Sequence, residues 1–177
     1  MFENNYGLLT ELEQYYFNDY ILYSFLPIPE IWRYDRKSQK LDRYVVKSTY
    51  DTIATPILKI KRSPKTKDIL FQHHKTSPFY KKMIYDPIHH LYFRFYALPL
   101  SEKTEEGYYT THIDRRYSVM VLDEAFNLLA ETLLPKECCF IYFAVPLKDG
   151  LYINFGSFAN TKQHGIKTLR INLVDIN

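Results

Sequence analysis

Apolar and polar positions alternate along most of this chain. Tyr20-Ile21-Leu22-Tyr23-Ser24-Phe25, Leu91-Tyr92-Phe93-Arg94-Phe95-Tyr96, Ser118-Val119-Met120-Val121-Leu122 and Lys167-Thr168-Leu169-Arg170-Ile171-Asn172-Leu173 are short and rich in β-branched and aromatic residues. Each ends at turn-forming residues, the pattern of strands that bury one face or both. Two stretches carry a spacing compatible with helix: 6–16, through Leu8, Leu9, Leu12 and Tyr15, and 125–134. The second has its apolar residues in a run beside Asn127 and lies between strands, so it reads as a hairpin. The first is read as a strand too, and the predicted fold class is all-β.

Internal similarity gives the architecture. Asp19-Tyr20-Ile21-Leu22-Tyr23-Ser24-Phe25 aligns without a gap on His89-His90-Leu91-Tyr92-Phe93-Arg94-Phe95 and on Asp149-Gly150-Leu151-Tyr152-Ile153-Asn154-Phe155. Ile21, Leu91 and Leu151 fall in step, 70 and 60 positions apart. A second pattern interleaves: Ile31-Trp32-Arg33-Tyr34-Asp35 before Leu41-Asp42-Arg43-Tyr44-Val45-Val46 resembles Val119-Met120-Val121-Leu122-Asp123 before Leu128-Leu129-Ala130-Glu131-Thr132-Leu133. Both read as hairpins whose first strand ends on a turn-forming Asp. Two hairpins make a four-stranded antiparallel unit, and units recurring in a ring are the blades of a propeller. The whole chain, 1–177, is thus expected to be one partial propeller domain with blades at about 6–50, 79–135 and 137–175.

These residues also resemble a known family. Met83-Ile84-Tyr85-Asp86-Pro87 leading to Leu91-Tyr92-Phe93-Arg94-Phe95 and Ala97-Leu98-Pro99, then Tyr117-Ser118-Val119-Met120-Val121-Leu122-Asp123 and Gly150-Leu151-Tyr152-Ile153, look like the C-terminal half of an uncharacterised Bacteroidetes domain-of-unknown-function family. That resemblance implies a TolB-like six-bladed β-propeller, of which about three blades are present here, and it carries over no catalytic residues. Members of the family typically have a secretion or lipoprotein signal and about twice as many blades. It therefore implies a cell-envelope lipoprotein if the chain is a fragment of the longer form. It also implies faces left for self-association, near Leu8, Leu12 and Tyr16 at one end and near Ile171 and Leu173 at the other, or for missing N-terminal blades.

Composition narrows the function classes. Aromatics make up 17% of the chain, with 17 Tyr and 12 Phe, more than enough to fill a core and too many for a disordered segment. The five glycines are spaced so that neither G-x-G-x-x-G nor a Walker loop can be written, which removes the common nucleotide-phosphate loops. The net charge of +3 is too small for a single-sign field over the surface, so nucleic acid is not the leading partner. Cys138 and Cys139 are adjacent and cannot form an ordinary disulfide framework. The first residues carry neither a basic nor an apolar signal region, and the longest apolar run is half of a membrane span; taken literally, the chain reads as soluble and cytoplasmic.

Candidate chemistry is sparse. His73, His74, His89, His90, His112 and His164 lack the helical or cysteine spacing of a metal site, so neither a metal nor a cofactor is expected, and turn or surface positions account for them. Asp86, Asp114, Asp123 and Glu124 are the candidates for paired-carboxylate hydrolysis, but Asp86 and Asp123 stand where strands enter turns. The run of Lys59, Lys61, Arg62, Lys65 and Lys67 puts five cations in nine residues, either an anion patch or an edge strand with its loop kept soluble. Arg94, mid-strand among aromatics, must be paired if buried, with Asp86 or Asp123 as the expected partner. The alternative joins Arg94 and Tyr92 to His112, Arg115 and Arg116 around the loop 101–116, where Tyr108 and Tyr109 also lie, to hold an anionic ligand. Three readings follow: a non-catalytic propeller binding a protein or glycan, a propeller hydrolase or lyase, and a polyanion binder through 59–67.

Overall fold

The computed structural model describes residues 12–58, 63–111, 114–136, 143–155 and 167–173. Among them, eleven strands form three antiparallel sheets. The first sheet orders β1 (Leu12–Tyr16), β2 (Tyr20–Phe25), β3 (Glu30–Asp35) and β4 (Leu41–Val45) as a meander. The second repeats this with β5 (Phe79–Asp86), β6 (Leu91–Ala97), β7 (Tyr117–Leu122) and β8 (Leu128–Leu133). In the third, β10 (Gly150–Phe155) lies between β9 (Ala144–Leu147) and β11 (Lys167–Asn172). The stretch 125–134 is a hairpin arm and 12–16 a strand, both as the pattern indicated. Leu8, Cys138, Cys139 and His164 lie outside the described residues.

The second sheet is the middle layer. Tyr92, Tyr96, Met120 and Leu122 on one face pack against Leu22 and Ile31 of the first sheet. Phe93, Phe95, Val119 and Val121 on the other pack against Leu151 and Ile153 of the third. With both faces covered, every residue of β6 and β7 is buried, so these strands read as continuous apolar runs. A bulge between Lys81 and Met83 breaks the alternation of β5, and Tyr80 and Met83 consequently both face the first sheet.

The hairpins close on the residues expected. Asp35 Oδ1 accepts the Ser38 amide at 2.6 Å and the Ser38 hydroxyl at 2.8 Å. Asp123 Oδ1 accepts the amides of Ala125 and Asn127 at 2.9 and 2.8 Å, and Asp86 Oδ1 accepts those of Ile88 and His89 at 2.9 and 3.2 Å. Gly150 opens β10 with a φ of +149° against the Ile171 carbonyl, which a Cβ would strike.

Ile21, Leu91 and Leu151 share a hairpin position, each paired with the residue five places earlier: Tyr16, Asp86 and Pro146. Their faces differ, however. Leu91 and Leu151 meet in one core, whereas Ile21, flanked by inward-facing Leu22, points away from the second sheet.

Three expectations are corrected. Residues Lys67–Thr76 form a helix, α1, preceded by a 3₁₀ turn at Pro64–Thr66, where no helix was expected. Lys65 and Lys67 thus sit on helical turns, exposed, rather than on an edge strand, and Lys59, Lys61 and Arg62 lie outside the described residues. Ile171 and Leu173 pack inward against the second sheet, so they do not form an exposed end face. No described helix is long and apolar enough to cross a membrane.

Arg94 joins the first two sheets, and its partners are not Asp86 or Asp123. The side chain is fully buried. Its two terminal nitrogens donate to the carbonyls of Phe25, Ile28, Glu30 and Val46 at 3.2–3.4 Å, and the guanidinium lies 4.1 Å from the Tyr80 ring centroid. Asp86 is committed to its own turn and to His89, whose Nδ1 is 2.6 Å away. Burial draws the Arg94 pKa down to about 10 against the pull of Tyr80, Tyr15, Glu13 and Asp51, which leaves it charged near neutrality.

Two outcomes follow. Arg94→Met strands four carbonyls and is expected to lower the unfolding free energy by about 3 to 5 kcal/mol, while Arg94→Lys recovers less than half of the loss, since a point charge cannot reach the same fork of oxygens. Urea denaturation measures both; an unchanged midpoint for Arg94→Met would remove the clamp.

Acid sensitivity is the second outcome. Hydrogen bonds from the Ser38 amide and hydroxyl lower the Asp35 pKa; at Asp123 burial is the largest single influence and raises it, but the hydrogen bonds from Asn127 and the Ala125 amide together outweigh it and lower the pKa. Both carboxylates therefore contribute stability that is present above the unfolded value of about 3.9 and is lost as pH falls through the lower folded values. Asp123→Asn should melt lower than the parent at neutral pH and show a shallower decline below about pH 4, read from thermal unfolding across that range.

Candidate functional site

Where the first and second sheets meet, three segments enclose a cavity of about 200 Å³. The first is the β2–β3 turn, Leu26-Pro27-Ile28-Pro29, whose prolines restrict the backbone dihedrals on either side of Ile28. Its Leu26 and Pro29 carbonyls accept the amides of Tyr80 and Val46, each at 2.7 Å. The second is the stretch leaving β4. Ser48 and Thr49 are tethered there to Glu131 of β8, with the Ser48 hydroxyl 2.5 Å from Oε1 and the Thr49 amide 2.6 Å from Oε2. The third is the bulged start of β5, which turns Tyr80 into the seam.

Asp51 is the carboxylate in the cavity wall. The Tyr80 hydroxyl donates to its Oδ2 at 2.7 Å and the Tyr96 hydroxyl to its Oδ1 at 3.4 Å. Burial pushes the pKa of both phenols far above the ordinary range, reinforced at Tyr80 by the hydrogen bond to Asp51 and at Tyr96 by the charge of Asp51. Both hydroxyls are consequently donors at any ordinary pH. Exposed Lys47 also lines the cavity, and Thr55 closes it, its hydroxyl 2.7 Å from the Pro78 carbonyl.

Arg115 secures the neighbouring wall. It is buried and donates to the carbonyls of Ser77, Leu98 and His74 at 2.8, 3.0 and 3.2 Å, and to that of Lys75. Those of His74, Lys75 and Ser77 lie at and just beyond the C-terminus of α1, where a cation also meets the negative end of the helix. Burial, the largest influence, lowers the Arg115 pKa. The loop it anchors runs out as a small hairpin. Lys103 bridges Tyr109, its ammonium 5.0 Å from that ring, Gly107 supplies a φ of +86° at the tip, and Tyr108 and Tyr109 are exposed.

The residues nominated as ligand-binding are not gathered around one opening. Arg94 is spent on carbonyls between the sheets and Arg115 on those at the end of α1 and on that of Leu98. Tyr92 is buried, with its hydroxyl 2.6 Å from that of Tyr20. Arg116 is exposed, its carbonyl accepting the Leu98 amide at 3.0 Å, and His112 lies outside the described residues. The nominated carboxylates are also accounted for: Asp86 and Asp123 hold turns, and Asp114 accepts the Thr111 amide at 2.6 Å. Glu124 accepts the Tyr85 hydroxyl at 2.9 Å and stands 3.1 Å from His90 Nδ1. That hydrogen bond from Tyr85 lowers the Glu124 pKa, and burial, with Glu124 adding to it, pushes Tyr85 up to about 12. Among the described residues no group of three or more His, Cys, Asp or Glu could hold a metal ion.

Sequence reasoning missed the cavity. Pro27-Ile28-Pro29 between two strands was the available signal for a rigid turn, but nothing in the spacing joins 27–29 to 47–55 and 80–96. The arrangement suits recognition by hydrogen bonds inside apolar walls.

Comparison with known proteins agrees with the sheet architecture. In a crystal structure of a member of the DUF4221 family from Bacteroides vulgatus, 91% of this chain superposes on 46% of that one, with a TM-score of 0.70 and 20% identity. The chain thus spans about half the length of the protein it matches, a likeness of fold. No curated protein matches. The family model described as domain of unknown function (DUF4221) matches residues 1–133, three-quarters of the sequence, and the chain belongs to that family.

Proposed function

We propose that the chain is a non-catalytic binding module, a partial β-propeller of three blades at about 6–50, 79–135 and 137–175, that recognises a protein segment or a glycan at the seam between its first two sheets. The observation that carries this reading is the Asp51 site: a carboxylate held by two phenols that stay protonated, in a cavity walled by Pro27, Ile28 and Pro29. Asp51 keeps lone pairs beyond those the phenols use, so a ligand hydroxyl or amide can donate to it. Lys47 offers a donor from the same wall.

The fixed surroundings favour binding over turnover. The terminal nitrogens of the buried cations near the seam, Arg94 and Arg115, are engaged by main-chain carbonyls, so they hold the walls and leave recognition to Asp51 and Lys47. A ligand entering a preformed site loses less to ordering of the protein.

Filling the cavity tests the proposal. Ala54 is exposed and lines the opening, so Ala54→Trp is expected to block entry without disturbing the core. A glycan array and a displayed-peptide library, screened with the parent protein and with Ala54→Trp, should enrich ligands for the parent that the variant loses by about tenfold or more, a difference of about 1.4 kcal/mol. The two proteins should melt alike. Absence of any enriched ligand, or equal enrichment by both, would defeat the reading.

A further inference from the structure

In the cavity between the first two sheets the two oxygens of Asp51 are not equally served. The Tyr80 hydroxyl accepts the Ser48 amide at 3.1 Å and gives its one proton to Oδ2 at 2.7 Å, so that phenol is fixed from both sides. Among the described residues Oδ1 receives the Tyr96 hydroxyl alone, at 3.4 Å, well beyond the usual O–H···O separation of about 2.7–2.8 Å. The backbone presenting the carboxylate is itself held: the Asp51 amide donates to the Ser48 carbonyl at 3.1 Å, and the Ser48 hydroxyl is tied to Glu131. One oxygen of a well-placed carboxylate is left for a ligand.

Asp51 also lacks a counter-charge in contact with it. Among the described residues no opposite charge lies within ion-pair distance of Asp51 or of Lys47. Arg94 attracts Asp51 from the face of the Tyr80 ring, but its terminal nitrogens donate to carbonyls instead. Pro27, Ile28, Pro29 and Ala54 line the same space, and apolar walls strengthen the pull of a carboxylate on a cation that enters. A ligand hydroxyl can bond to Oδ1 but leaves the charge uncompensated, and a ligand carboxylate is repelled.

Size selects the end of a chain. About 200 Å³ is less than the roughly 300 Å³ at which pockets begin to take drug-sized ligands, and a chain running through would need two exits where a chain end needs one. The amino end of a polypeptide carries an ammonium and, on the neighbouring carbon, a carbonyl oxygen. Asp51 and exposed Lys47, both on the stretch leaving β4, match that pair of a donor cation and an acceptor.

We propose, resting on the binding role assigned above to this cavity, that its ligand is the free amino end of a protein segment. The α-ammonium donates to Asp51 Oδ1, Lys47 donates to the first carbonyl, and the first side chain lies against Pro27 and Pro29.

Randomised synthetic pentapeptides, passed over immobilised parent protein, Asp51→Asn and Ala54→Trp, test this in three sets: free amino ends without lysine, acetylated ends without lysine, and acetylated ends with lysine. The parent is expected to retain peptides of the first set, and acetylating those peptides should weaken binding by about 10- to 100-fold, the range of a hydrogen bond to a charged group. Asp51→Asn should show a similar loss toward the free peptides. Equal retention of the first two sets by the parent overturns the proposal, and since that comparison uses no variant it decides even if Asp51→Asn fails to fold. Retention of the third set alone places a lysine side chain in the cavity and overturns the assignment to an amino end. Displacement of the retained peptides by equimolar free amino acids overturns the assignment to a protein segment. The two readings fail separately: acetylated peptides or glycans that the parent holds and Ala54→Trp loses defeat the amino-end proposal while the cavity remains a binding site. Retention of nothing by the parent defeats both.

Discussion

A guanidinium removed from water must be met by oxygen, and in this fold the oxygens belong to the backbone of another sheet. Arg94 lies in the middle of β6, a strand buried along its whole length, so its charge cannot reach solvent by any rotamer that leaves the core intact. The carbonyls of Phe25, Ile28, Glu30 and Val46 meet its two terminal nitrogens only when the β2–β3 turn and the exit of β4 hold the course they do. That course shapes the cavity. The prolines of the turn face Asp51, and Tyr80, stacked on the guanidinium, carries the hydroxyl that fixes Asp51. The inter-sheet clamp and the candidate site are two consequences of one buried cation.

A second cation repeats the device at the end of α1. Arg115 gathers carbonyls from the last turn of the helix, from Ser77 and from Leu98, so the base of the exposed loop and the helix C-terminus share one anchor. Neither arginine uses a carboxylate for this. Acidic side chains are freed for turns and tethers: Asp35, Asp86 and Asp123 for hairpins, Glu131 for holding Ser48 and Thr49.

Strands and hairpins were legible in the sequence because their causes are local. Alternation along β2, β6 and β7 reflects faces of the same strand, and the turn aspartates act within four residues of themselves. The helix at 67–76 was not legible: Ile69, Leu70 and Phe71 are consecutive, so they form no stripe, only Leu70 and His73 are buried, and the cation that caps its end comes from a residue about forty positions away. Arg94 could be recognised as a buried charge needing partners, but those partners are main-chain atoms, which no side-chain pattern encodes. For the same reason the cavity was out of reach. Its walls come from segments whose meeting depends on the bulge at Lys81 and Met83, a single-residue insertion that leaves no compositional trace.

A clamp that grips backbone oxygens constrains substitution on one side only. Every amino acid brings a carbonyl, so the clamp itself makes no demand on the side chains of Phe25, Ile28, Glu30 and Val46 while their path is kept, and its own demand falls on the arginine and the ring stacked on it. Drift in the supporting segments then alters the cavity lining without loosening the seam. Such a scaffold can diversify what its site touches while the sheets stay where they are.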